Sequence, residues 1–124
     1  MSFKERVVFL DRASFTNDDL PIPSFEHNWS EYPFTEAADL VPRLFWSTIA
    51  ITHATPINAE AIGQLHKLIR VIVTGPAVVD AAACVARGIA VRHLPAREAP
   101  GQALIGLLEV LVSEAKRANK GILH

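Results

Sequence analysis

The sequence predicts an α/β domain built on a parallel sheet, and three observations carry that expectation. Short apolar runs such as Val7-Val8-Phe9-Leu10 and the largely β-branched Ile69 to Val73 have the character of strands covered on both faces. Segments with helical spacing and end signals alternate with these runs, which requires crossover connections and therefore parallel pairing. The chain has 124 residues, half of them hydrophobic and 20% charged, enough for a single folded domain with a real core.

The first strand, Val7 to Leu10, ends at Asp11-Arg12. Ala13 to Phe25 reads as a loop, because Asn17, Asp18, Asp19, Pro21 and Pro23 oppose regular structure. Asn28 to Tyr32 alternates aromatic and polar residues as a half-exposed edge strand does, and Pro33 stops it. Thr35 is the expected cap of a helix through Leu44, with Glu36 beside the positive end of its dipole. A strand from Trp46 to Thr52 precedes a helix capped by Asn58 and running to about His66. After the strand Ile69 to Val73, the Thr74-Gly75-Pro76 break leads to an alanine-rich helix, Val78 to Arg87, closed by Gly88. Ile89 to Val91 is the fifth strand. The loop His93 to Pro100 then enters a long helix, about Gln102 to Asn119, with Gly121 as its cap. Five strands in this arrangement fit a flavodoxin-like three-layer sandwich of order 2-1-3-4-5.

Composition excludes several functions. With 12 Lys+Arg against 13 Asp+Glu, the net charge is -1, unlike a binder of nucleic-acid backbone, which relies on clustered cations. One cysteine, Cys84, makes neither an internal disulfide nor a cysteine-rich zinc site. The amino-terminal residues lack a secretory pattern, and Ala103 to Val112 is too short to span a bilayer, so a cytoplasmic protein with no membrane partner is expected.

The runs Val8-Phe9-Leu10-Asp11-Arg12 and Thr48-Ile49-Ala50-Ile51-Thr52, followed by Ala59 to Leu65, resemble the start of D-isomer-specific 2-hydroxyacid dehydrogenases, particularly the glycerate dehydrogenase branch. Thr74-Gly75-Pro76-Ala77-Val78-Val79-Asp80 and Arg87-Gly88-Ile89-Ala90-Val91 are similar to that family's Thr-Gly-x-x-x-Val-Asp segment and following Arg-Gly-Ile-x-Val strand. The resemblance covers residues from about 7 to 95 and implies the first part of a flavodoxin-like substrate domain. It also implies that the NAD-binding Rossmann domain and the family's active-site arginine, glutamate and histidine belong to later sequence. The six glycines contain no Gly-x-Gly-x-x-Gly, so no cofactor is expected to bind this chain, and no residue is assigned a catalytic role.

What the resemblance leaves is a weak anion rim. The Thr74-Gly75 turn matches a loop that offers amides to the substrate carboxylate, although Pro76 removes the next amide. His53-Ala54 stands where family members often carry Asn-Lys, and an imidazole there can hold charge or move a proton near neutral pH. His93 and Arg97 follow the fifth strand on the same carboxyl-end rim. His53, Thr74, Gly75, His93 and Arg97 therefore form the candidate site for a small carboxylate, against the plainer reading of solvated loop residues. His27, His66 and His124 show no metal-ligand spacing, and no metal is expected.

The final helix places Leu104, Leu107, Leu108, Leu111 and Ala115 on one stripe, widened by Ile105, Val110 and Val112. Cover on more than one side is expected, and a second copy docking through Gln102 to Asn119 is the simplest source; full burial on the chain's own sheet is the alternative. Two functions remain open from the sequence. One is a non-catalytic, dimeric binding or interaction module; the other is a fragment or component of an NAD-dependent oxidoreductase acting on the CH-OH group of 2-hydroxy acids such as glycerate.

Overall fold

Strand β1 (Glu5–Phe9) lies between β2 (His27–Glu31) and β3 (Ile49–Thr52), and β4 (Arg70–Val73) and β5 (Ala90–His93) extend the sheet beyond β3. All four pairings are parallel, and the order 2-1-3-4-5 is the expected one. The computed structural model describes residues 4–15, 19–94 and 100–122, with side chains of the last helix described to residue 115.

Strand alternation sorts the core into two layers. Val8, Leu10, Ala50, Val71 and Val73 face one side, under α2 (Ala37–Leu44), α3 (Ala59–Ile62) and α4 (Ala81–Ala86), where Leu40, Leu44, Ile62 and Cys84 are buried against them. Val7, Phe9, Ile49, Ile51 and Ile72 face the other side, under α5 (Pro100–Ile122), which buries Leu104, Ile105, Leu108, Leu111 and Val112. The long helix is thus a layer of the chain's own fold. Its start precedes the expected Gln102, and it continues through Gly121, the expected cap.

Several boundaries differ from the sequence reading for identifiable reasons. Arg12–Phe15 forms a short helix, α1, inside the segment expected to be loop. Thr35 does not cap α2: its hydroxyl donates to the Leu10 carbonyl at 2.6 Å and accepts from Arg43 Nη1 at 2.9 Å. The cap position falls to Glu36, which makes no side-chain cap bond. Strand β3 begins at Ile49 instead of Trp46, because Ser47 and Thr48 turn their donors onto the Arg6 carbonyl. Helix α4 begins at Ala81, not Val78, because the backbone of residues 78–80 is paired with Ile57 in an isolated parallel bridge. Asp80 is its cap, accepting the Ala83 N–H at 2.9 Å.

Local signals act through local geometry. Asn58 Oδ1 accepts the Ala61 N–H at 2.9 Å, although α3 ends at Ile62, short of His66. Gly88 adopts φ 71°, a left-handed conformation that is strained for a residue with a Cβ. At the amino end of the sheet Glu5 and Arg70 are both largely buried, with Arg70 Nη1 3.9 Å from Glu5 Oε1. Thr48 donates to the same oxygen at 2.9 Å, so the carboxylate has a hydrogen-bonded partner as well as a charged one.

Candidate functional site at the carboxyl edge of the sheet

The carboxyl ends of β1 and β3 are tied together by one carboxylate. Asp11, only 3% exposed, accepts the His53 N–H on Oδ1 at 2.8 Å. Its Oδ2 accepts from the Ala54 N–H at 2.6 Å, the Thr55 N–H at 3.0 Å and the Thr55 hydroxyl at 3.1 Å. A buried carboxylate is tolerable only with such saturation, and here the bonds also fix the path of the chain leaving β3. Thr52 completes the turn by donating its hydroxyl to the Thr55 carbonyl at 2.7 Å.

His53 is delivered by that turn onto the break after β4. Its Nδ1 is 3.0 Å from Thr74 Oγ1, and its ring stands so close to Gly75 that a Cβ there would meet the imidazole at 2.5 Å. Phe15 of α1 lies on another side of the ring, with centroids 6.0 Å apart. The main chain doubles the link, since Thr74 N–H donates to Thr52 O and Ala77 N–H to His53 O, each at 2.9 Å. Among the described residues the Gly75 N–H has no acceptor, which leaves one backbone donor beside the Thr74 hydroxyl and the imidazole.

The structure therefore brings together His53, Thr74 and Gly75. His93 is exposed and in register with Val73, whose side chain packs under α2 to α4; no hydrogen bond or ion pair joins it to His53 or Thr74 among the described residues. Arg97 lies outside the described residues. Asp11 and Phe15 were missed by the sequence reading. The available signal for Asp11 was an acidic residue directly after a buried apolar strand, a position that exposes the carboxylate to the neighbouring loops.

Of the remaining histidines, His27 and His66 have structural partners, and His124 lies outside the described residues. His27 Nδ1 is 2.8 Å from the Phe25 carbonyl, and His66 Nδ1 is 3.2 Å from Arg87 Nη2. Cys84 is fully buried, and that burial, with Asp80 nearby, raises its thiol above the usual range and keeps it protonated. No group of three or more His, Cys, Asp or Glu placed to hold a metal occurs among the described residues. No described helix is long and apolar enough to cross a membrane.

A parallel sheet of this order, with polar loops converging where its central strands end, defines a doubly wound α/β domain of the kind that gathers ligands at its carboxyl edge. The chain is related in sequence to 2-hydroxyacid dehydrogenases. It is 38% identical over 92 residues to a protein of Haemophilus influenzae that carries the name 2-hydroxyacid dehydrogenase, covering 72% of this chain and 29% of that one. It is 40% identical over 95 residues to a glycerate dehydrogenase of Methylorubrum extorquens, covering 73% of this chain and 29% of that one. The chain thus spans under a third of the length of each. No family model matches it.

Proposed function

We propose that this chain is a carboxylate-binding module derived from a 2-hydroxyacid dehydrogenase substrate domain, without hydride-transfer activity of its own. The observation that supports it is the His53–Thr74–Gly75 cluster, where an imidazole and a hydroxyl lie 3.0 Å apart against a glycine whose amide has no acceptor among the described residues. These groups suit the two oxygens of a small carboxylate: an N–H and an O–H donate, and the imidazole adds charge when protonated. Hydride transfer needs a positioned nicotinamide as well, and the sequence has no Gly-x-Gly-x-x-Gly turn to seat its pyrophosphate.

NMR titration with glyoxylate, glycerate, pyruvate and phosphate tests the binding. Saturable shifts of the His53, Thr74 and Gly75 resonances at millimolar ligand support the reading, and an unmoved rim rejects it. NADH oxidation with hydroxypyruvate or glyoxylate by this chain alone would overturn the non-catalytic part. The short span of each relative matched by this chain supports one second reading, a fragment or component of an NAD-dependent oxidoreductase whose cofactor-binding part is supplied by other sequence. A neighbouring reading frame that opens with a Rossmann fingerprint, and restored activity on mixing the two products, distinguishes it.

The proposal includes a homodimer through residues 102–119, with a narrower seam than the sequence implied. Leu104, Ile105, Leu108, Leu111 and Val112 are buried on the chain's own sheet, so among the described residues Val110, 53% exposed, and half-buried Leu107 are the large apolar side chains left on that helix. Light scattering that shows a monomer at high micromolar concentration rejects the dimer.

A further inference from the structure

The opposite edge of the sheet, where β1, β3 and β4 begin, carries a different set of groups. Lys4, Arg6 and Lys67 line one cleft of about 250 Å³ together with Trp46 and Thr48. Arg6 and Trp46 also line an adjoining cleft of about 410 Å³, whose polar wall includes Asn28, Ser30 and Arg43. Among the described residues Lys4, Arg6 and Lys67 make no ion pair. Of the carboxylates on this edge, Glu5 is committed to Thr48 and Arg70, while Glu26 stands at the foot of β2, joined to β1 through its backbone carbonyl. The edge therefore concentrates positive charge in a chain whose net charge is -1.

Trp46 gives this patch a second property. It is 59% exposed, yet Phe45 meets it edge-on with centroids 5.1 Å apart and an interplanar angle of 82°. A large aromatic face is thus oriented without being covered, between two clefts that share Arg6. Three cations with no ion-pair partner among the described residues suit a dianion with several acceptor oxygens better than a single carboxylate, and a fixed indole face suits a flat ring.

We propose that this amino-terminal edge is a binding site for a small aryl phosphate, with Lys4, Arg6 and Lys67 holding the phosphate and Trp46 stacking the ring. The site is separate from the His53 rim and lies at the other end of the strands. Phenyl phosphate is the probe, with inorganic phosphate, phenol and sodium chloride at matched ionic strength as component controls. In the full chain, phenyl phosphate at millimolar concentration shifts the Trp46 indole N–H and the Arg6 amide saturably and leaves His53 and Thr74 unmoved. Phosphate alone binds roughly tenfold more weakly, and Arg6→Gln loses roughly tenfold or more, as the loss of a charged hydrogen bond implies. Trp46→Phe keeps most of the affinity, whereas Trp46→Ala approaches that of phosphate alone. An unsaturable response, or one reproduced by sodium chloride, overturns the site as mere screening. Equal affinity for phosphate and phenyl phosphate overturns the stacking role. Amide spectra of the variants, unchanged away from this edge, show that lost binding is not lost folding.

Discussion

A Cβ at Gly75 would stand 2.5 Å from His53 Cε1, 2.6 Å from Nδ1 and 2.7 Å from Nε2, closer than side-chain atoms pack. Glycine at 75 is therefore what allows the imidazole to lie against the end of β4 and reach Thr74. Gly75→Ala is expected to swing the ring away, because the obstructing atoms belong to a side chain and not to fixed backbone. The cost is then about 1 kcal/mol, the usual value of the His53–Thr74 hydrogen bond that is lost. In a His53→Ala background the same substitution should cost almost nothing. Urea unfolding of the four proteins forms the double-mutant cycle. An equal cost in both backgrounds would show that the glycine serves something other than the ring.

Asp11 is the residue on which the rim depends most heavily. Asp11→Ala leaves three buried or half-buried N–H groups and one hydroxyl without their acceptor, and is expected to destabilise the fold by about 3–5 kcal/mol. Asp11→Asn keeps one acceptor oxygen but turns an NH₂ toward donors, so a loss of about 2 kcal/mol is expected. Chemical denaturation gives both values. Hydrogen exchange should speed up at His53, Ala54 and Thr55 before it does at Ile49 or Ile72.

What could be read in advance follows sequence distance. The strand order was legible because apolar runs and right-handed crossovers leave few alternatives, and Asn58 and Gly88 were legible because a cap acts within three or four residues. The Asp11 bracket joins residues 42 to 44 positions apart, so no local pattern announced it. Thr35 shows the converse failure: its hydroxyl suits a cap, but the Leu10 carbonyl, 25 positions away, competes successfully for it. His53, Thr74 and Gly75 were each placed at the carboxyl edge by the order of elements, while their mutual distances came only with the fold. His93 shared the edge but not the face, a distinction set by strand register.

Glu109 on α5 clasps the loop before β2, accepting the Ser24 N–H at 3.1 Å and the Ser24 hydroxyl on the same oxygen. Those bonds hold its carboxyl below the usual range, the side-chain bond contributing most. With the folded pKa below the unfolded one, the clasp's contribution is complete above the ordinary carboxylate range and is lost as pH falls through the depressed value. Ser24 amide shifts followed from neutral to acid pH should report that loss, and Glu109→Gln should remove the transition. A Ser24 transition that persists in Glu109→Gln would assign it to another group.

Cys84 is fully buried, with its thiol pushed upward by burial first and by Asp80 second. Only the thiolate reacts, so a water-soluble disulfide reagent should label the native protein far more slowly than the urea-unfolded one. The native rate should follow the opening equilibrium and rise in Asp11→Ala, which destabilises the whole domain. Rapid labelling of the native chain would place the sulfur at an accessible surface instead.

The final helix settles what its apolar stripe contacts first. Leu108 is fully buried in the cluster that includes Val7, Phe9, Ile49 and Ile72 on the sheet's second face, while Val110, two positions on, is 53% exposed. Leu108→Ala should therefore cost about 2–5 kcal/mol through a cavity in the core, and Val110→Ala should stay within about 0.5 kcal/mol for an isolated chain. The two substitutions also separate folding from association. If copies dock through this helix, Val110→Asp lowers the apparent mass in light scattering and makes the melting temperature of the parent, but not of the variant, depend on protein concentration. If stability is concentration-independent in both, the helix is fully satisfied by its own sheet, and the breadth of its apolar surface reflects the three strands it covers.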